Sequence, residues 1–203
     1  MTASLDISED DSDSIAELFN IGMGPPAAAL SDLVGEPVEL SVPSLRLVKR
    51  LSVAEELAVD SDSPVIAVRE AFHGPFAGEA MLVFSQAAGL AMVQRLIPGE
   101  LPADERDEAL RDTLGEVGNI ILDGCVASFS NMIRQEVEGG VPECSVGALD
   151  EVLAGRDETV MFVHIDARLS SGAANLQVLF FLDVAALDAF RLAIRHALAG
   201  LAG

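Results

Sequence analysis

The chain has no tryptophan, no tyrosine and a single lysine, Lys49, in 203 residues. Without Trp or Tyr, a core has to be built from Leu, Val, Ala and Phe. Half of the residues are hydrophobic, enough for a sizeable core. Basic residues are scarce: 12 Lys and Arg stand against 33 Asp and Glu, for a formal net charge of −21. No basic patch exists to neutralise phosphates, which excludes nucleic-acid binding and disfavours anionic membrane surfaces. Cys125 and Cys144 are the only cysteines and form no CxxC, so buried, reduced thiols are expected rather than a disulfide. His73, His164 and His196 are scattered and form no metal cluster. No apolar run approaches the roughly 20 residues of a membrane span. The start, MTASLDISEDDSDS, lacks the basic and apolar regions of a secretory signal, so the cytoplasm is the expected location. P-loop, nucleophile-elbow and dinucleotide fingerprints are absent.

What is present is one polar pattern that occurs twice. Asp13, Glu17, Asn20 and Pro43 follow D-x3-E-x2-N-x22-P, and Asp112, Glu116, Asn119 and Pro142 follow the same spacing. Each second-copy residue lies 99 positions after its counterpart (112−13, 116−17, 119−20, 142−43). Four positions in register point to a duplicated unit carrying the same constellation twice.

The hydrophobic pattern repeats in step. Residues 10–34 read as a helix with Ile15, Leu18 and Gly22 on one stripe, and Pro25-Pro26 predicts a kink or break in it. Residues 37–49 alternate as a strand interrupted by Pro43. Strands over 64–72 and 76–85 flank the turn signal His73-Gly74-Pro75, and a helix over 86–97 stops at Pro98-Gly99. After Pro102 comes a long helix, 103–137, with Leu110, Leu114, Val117 and Ile121 as its apolar stripe and Gly139-Gly140 as its end. Strands over 143–153, 158–169 and 174–182 and a final helix over 184–201 complete the chain. Each half reads helix–strand–strand–strand–helix. The fold class is therefore α+β: pseudo-two-fold α-β-β-β-α halves, about 10–98 and 103–202, forming one sheet with helices packed on it in a single domain.

Positions i, i+4 and i+7 of a helix differ by about 40° and −20° in azimuth. Asp13, Glu17 and Asn20 thus share one face, as do Asp112, Glu116 and Asn119. In the second half the apolar stripe lies on a different face, leaving Glu and Asn free for solvent or a partner. Two plain alternatives compete. Ser14-x-x-Glu17 and Thr113-x-x-Glu116 both match a capping box, which fits the first half better than the second. A polar helix face can also be simply a solvated one. Met23, Met81, Met92, Met132 and Met161 read as core fillers.

The segments ELFNIGMGPPAAALSDLVG (17–35) and GEVGNIILDGCVASFSNMI (115–133) resemble the paired signatures of the CheC-type chemotaxis phosphatases, and of the related CheX and FliY proteins. The resemblance covers nearly the whole chain, so the flagellar-switch domain of FliY-like proteins is not expected here. It implies two pseudo-symmetric halves around one sheet and hydrolysis of the aspartyl phosphate of the response regulator CheY. It implies that Asn20 and Asn119 orient the attacking water and that Glu17 and Glu116 dock against a lysine of the partner. Asp13, Asp112, Pro43 and Pro142 are implied to support the motif. Mg2+ is expected on the partner, with no cofactor or metal on this chain. The receptor deamidase CheD and motor switch proteins are the partners of an alternative, non-catalytic reading. The run Gly22-Met23-Gly24-Pro25-Pro26 departs from the usual first signature, so the second site is expected to be the stronger.

A net charge of −21 makes the protein repel itself and predicts adaptation to a salt-rich cytoplasm. Stability to heat or denaturant should rise steeply with salt; a flat response counts against this reading.

Overall fold

A computed structural model describes residues 9–41, 43–57, 64–97, 102, 106–153, 158–172, 175–183, 189–190, 192–193 and 196. The first half runs α1 (Glu9–Gly22), α2 (Gly24–Val34), β1 (Val38–Leu40), β2 (Ser44–Lys49), α3 (Val53–Glu56), β3 (Pro64–His73), β4 (Gly78–Ser85) and α4 (Gln86–Leu96). The second runs α5 (Arg106–Ile133), β5 (Glu138–Gly139), β6 (Glu143–Ala148), α6 (Leu149–Leu153), β7 (Thr159–Leu169) and β8 (Asn175–Asp183).

The eight strands form one antiparallel sheet in the order β1-β7-β8-β4-β3-β5, with β2 also on β7 and β6 also on β3. Reading the order from either end exchanges the two halves. At its middle Met81 faces Leu179, and the flanking pairs Leu82↔Val178 and Ala80↔Phe180 are each other's equivalents. A pseudo-two-fold axis therefore passes between Met81 and Leu179. The outer strands cross over: Ser44 of β2 faces His164 of β7, and Glu143 of β6 faces Arg69 of β3. Glu143 lies 99 positions after Ser44 and His164 lies 95 after Arg69, so both crossings keep one register (143−44, 164−69). Each half supplies the edge strand of the other.

Alternation along the strands divides the core. Ile66, Val68, Leu82, Phe84, Val163, Ile165, Val178 and Phe180 face α1, α2, α4 and α5 in the larger cluster. Ala67, Met81, Val83, Phe162, Leu179 and Phe181 face the short helices α3 and α6 in the smaller one. On that second face the buried Arg50 pairs with Glu79 at 2.5 Å and sits 4.2 Å from the Phe181 ring centroid. Pairing both ions and covering the guanidinium with an aromatic face offsets its burial. Among the described residues no helix is long and apolar enough to cross a membrane.

Local chemistry explains the element ends. The predicted break in the first helix falls at Met23; Pro25 and Pro26, lacking amide protons, occupy the opening turn of α2, where no donor is needed. Ser85 caps α4 by accepting from the Ala88 amide at 3.1 Å. Pro43 separates β1 from β2 and Pro142 separates β5 from β6, at matching points of the two edge strands. Buried Ile15, Leu18 and Gly22, and buried Leu110, Leu114, Val117 and Ile121, form the expected inner stripes.

Several expectations need correction. The long helix ends at Ile133, not 137, and Gly139-Gly140 lies in and just beyond β5, where the Gly140 amide donates to the Ala71 carbonyl at 2.8 Å. Residues 143–153 are a strand only to Ala148; Leu149, Val152 and Leu153 recur at helical spacing and form α6. The equivalent α3 went unpredicted because four residues are too few for periodicity to show. Both capping boxes fail, since α1 begins at Glu9 and α5 at Arg106, well before Ser14 and Thr113. Cys125 and Cys144 are free as expected, but Cys144 on edge strand β6 is only partly buried. Of the buried methionines, Met23, Met81, Met92 and Met161 fill the core. The expected final helix over 184–201 lies mostly outside the described residues, although 189–190, 192–193 and 196 are helical.

The helix ends yield a stability test. Gly35 closes α2 with φ 72, and Arg134, 99 positions later, closes α5 with φ 53. Glycine adopts this left-handed conformation freely, whereas a residue with a Cβ is strained by roughly 1 kcal/mol or more. Arg134→Gly should therefore stabilise the protein by about 1 kcal/mol in denaturant titrations, and Gly35→Ala should destabilise it by a similar amount.

Candidate functional site

Asp13, Glu17 and Asn20 are all exposed along the outer stripe of α1, opposite buried Ile15 and Leu18. Asp112, Glu116 and Asn119 are likewise exposed along α5, opposite buried Leu114 and Val117. The triple of each copy thus shares one solvent-facing stripe. The prolines stand apart, at the edge-strand breaks: Pro43 is buried and Pro142 half-buried. α1 packs against α5, with Met23 Sδ 3.6 Å from Cys125 Sγ and the Phe19 and Phe129 rings stacked at 5.4 Å.

Each asparagine is held through the residue before it, and the two copies do this differently. Phe19 is a buried plug between Phe129 and Phe180, whose ring centroid lies 4.9 Å away. Gly118, its equivalent, lets α5 settle directly on Val68 of β3, where any Cβ would collide with the valine side chain. Asn20 lies three residues before the break at Met23, whereas Asn119 is in the middle of the 28-residue α5.

Two features escaped the sequence reading. Ile21 and Ile120 follow the asparagines and are 44% and 42% exposed, so each polar triple carries an apolar neighbour on the surface. The repeated Asn-Ile at the same offset was the available signal. The second feature is Glu70 on β3. It is fully buried on the helix-covered face, and neither carboxylate oxygen has a hydrogen-bond partner. Its neighbour in space is Asp123 of α5, exposed one turn beyond Asn119. Burial, then the nearby Asp123 charge, then contact with its carboxyl, push Glu70 up from 4.5 to about 7. The signal was the pair Arg69-Glu70 inside an apolar strand: adjacent strand residues face opposite sides, so one of them had to enter a core. Arg69 took the face covered by α3 and α6, with Glu79 at 3.5 Å.

The histidines lie elsewhere. His73 is exposed beside Glu138 at 3.7 Å, and His164 is 3.4 Å from Asp166, held below its ordinary value chiefly by burial. Among the described residues no three His, Cys, Asp or Glu side chains converge as a metal site.

Comparison with known proteins places this geometry. No family model matches the chain. The chain is 24% identical over 139 residues to the flagellar motor switch phosphatase FliY of Bacillus subtilis, covering 68% of this chain and 36% of that protein. It therefore spans about a third of that relative's length. It is 21% identical over 151 residues to the CheY-P phosphatase CheC of the same organism, covering 73% of this chain and 72% of the relative. Among solved structures, Thermotoga maritima FliY superposes with a TM-score of 0.75 at 18% identity, over 94% of this chain and 98% of that one. CheX in a CheX–CheY–BeF3–Mg2+ complex from Borrelia burgdorferi gives 0.59 at 17% identity, over 82% and 96%. The FliM middle domain of H. pylori gives 0.62 at 11% identity, over 92% and 99%. Sequence relatives and fold together bear out the resemblance to the CheC, CheX and FliY proteins.

Glu70 generates a prediction about stability. Unfolded, its carboxyl ionises near 4.5; folded, near 7. Between those values the folded state holds the extra proton, so stability falls as pH rises through the window and stays lowered above it. Glu70→Gln removes this loss: relative to wild type it should gain up to roughly 3 kcal/mol between pH 4 and pH 8 in urea titrations.

Proposed function

We propose that the chain is a CheC-like phosphatase hydrolysing the aspartyl phosphate of a CheY-type response regulator in chemotaxis signalling. Asn20 and Asn119 orient the attacking water, and Glu17 and Glu116 dock on the partner. Asp13, Asp112, Pro43 and Pro142 support the two motifs. The observation that carries this reading is the same exposed Asp-Glu-Asn stripe on α1 and α5, in a fold shared with CheX of a CheX–CheY complex.

The chemistry asks little of this chain. Water oxygen attacks phosphorus as the bond from phosphorus to the aspartyl oxygen breaks, releasing inorganic phosphate, a free carboxylate and a proton from the water. An acyl phosphate is already activated, so neither a strong base nor a covalent nucleophile is required. Holding the water in line with the breaking bond is a large share of the catalysis. An asparagine carbonyl accepts from that water and stays neutral beside the phosphoryl oxygens, where a carboxylate would be repelled. Mg2+ belongs to the receiver domain, and the chain needs no cofactor of its own. Glu17 and Glu116 gain docking specificity from a desolvated contact with a lysine. Ile21 and Ile120 add an apolar contact beside each asparagine.

A non-catalytic regulator that binds CheD or motor switch proteins is the competing reading, favoured by the fold shared with a FliM middle domain. The repeated asparagine sets the enzyme ahead, because an adaptor has no use for that amide at that spacing twice.

The test is the decay of an acetyl-phosphate-labelled receiver domain with catalytic amounts of this protein at high salt. Asn119→Ala should cost on the order of 10²-fold in rate and Asn20→Ala less, because the proline break lies beside Asn20. The double variant should lose all acceleration. Equal losses overturn the ranking. Binding of the receiver without accelerated decay overturns the phosphatase and leaves the regulator.

A further inference from the structure

The two copies of the constellation differ in what lies beneath them. Under the second, Glu70 reaches from β3 toward α5 and Asp123 stands one turn past Asn119, on the same stripe as Glu116. The equivalent positions in the other half are Ile165 (95 after Glu70) and Gly24 (99 before Asp123), neither of them acidic. Gly139 of β5 closes over the pair: a Cβ there would collide with Glu70 Oε1 and lie 3.7 Å from Asp123 Oδ1.

We propose that Glu70 and Asp123 share one proton beneath the second site, and that this pair positions Asn119 and gives that site a pH response the first lacks. The inference rests on the phosphatase reading and deepens it by assigning a positioning residue and a mode of regulation.

The geometry supplies the reason. Two carboxylates cannot hydrogen-bond unless one carries a proton, and neither Glu70 oxygen meets a donor in the structure. Among the described residues, Glu70 is faced by Asp123 and Cys125 of α5 and by the backbone at Gly139. Burial pushes the Cys125 thiol far up, so it stays neutral and supplies no compensating charge. Arg69 turns to the opposite face, toward Glu79 and the Val152 carbonyl. The His73–Glu138 pair is exposed at the strand end. Among the described residues, no cation therefore offsets the two carboxylates. With the proton in place, Glu70 ties β3 to α5 one turn from Asn119. Without it, two like charges oppose each other across that contact. The loss also adds a negative charge beneath the surface that meets a phosphoryl group. Gly118 seats α5 on Val68 just before Asn119, so a shift of α5 against β3 moves the asparagine directly.

Receiver dephosphorylation by Asn20→Ala, which leaves the second site, is compared with that by Asn119→Ala, which leaves the first, from pH 6 to pH 8. Their ratio cancels the receiver's own pH dependence. A group titrating near 7 passes from about nine-tenths to about one-tenth protonated over this range, so the ratio should fall about tenfold. Glu70→Gln in the Asn20→Ala background should abolish the fall. Asp123→Asn, a change at an exposed position, should do so too, because its amide can donate to ionised Glu70. A ratio constant with pH, or a fall that survives both substitutions, overturns the proposal. Carboxyl 13C NMR of the wild-type protein tests it without activity. Glu70 should titrate near neutrality and the Asn119 side-chain amide should shift with it while that of Asn20 does not. Titration near 4.5, or an unmoved Asn119, overturns it. If no variant accelerates hydrolysis, the phosphatase reading fails, and the NMR titration decides the proton pair by itself.

Discussion

The pairing of β4 with β8 is the constraint on which the rest of this structure depends. Those strands come from different halves, and their ladder is centred on Met81 and Leu179, both fully buried. Because the ladder reads alike in both directions, joining the strands there forces every later element into pairs. β2 must complete β7, β6 must complete β3, and α1 and α5 must meet on one face. Each half completes its sheet with strands of the other, and the two share a core. The two polar triples therefore sit on packed helices instead of loops, which holds each asparagine to the geometry of the scaffold.

Within that symmetry the two sites have been built unequally. Phe19 anchors α1 through an aromatic cluster that includes Phe129 and Phe180. Gly118 seats α5 directly on Val68, where any Cβ would collide with the valine side chain. The proline break at Met23 shortens the helix that carries Asn20, whereas Asn119 has helical turns on both sides. Charge follows the same asymmetry. Arg50 and Arg69 both serve Glu79 on the face covered by α3 and α6, and among the described residues no cation offsets the charge of Glu70 on the other face. The carboxyl in the core is thus left to share a proton.

On the proposed reading, this division suits action on an already activated bond. When the partner supplies the phosphoryl group and the metal, the chain has to present a neutral amide, a docking carboxylate and a rigid surface. On the same reading, the asparagine amide that meets the phosphoryl group carries no charge, which suits a surface as acidic as this one.

The sequence by itself determined a good deal. Spacing alone revealed the duplication, and the 99-residue offset persists from Asp13/Asp112 through Gly35/Arg134 to Pro43/Pro142. Periodicity located the inner stripes of α1 and α5 and the buried strands, because burial of one face imposes a period on the residues that face it. The exposure of the second triple followed from its stripe. What only the tertiary structure decided depends on contacts between distant segments. The crossing of β2 and β6 to the opposite halves cannot be read from a strand's own pattern, since an edge strand looks the same whichever neighbour it joins. The ending of α5 at Arg134 came from the backbone turning into β5, not from the glycines that follow. The meeting of Glu70 and Asp123, 53 positions apart (123−70), arises only because α5 lies across β3. Local preference acts through neighbours along the chain, while a buried charge is defined by whatever the fold brings against it.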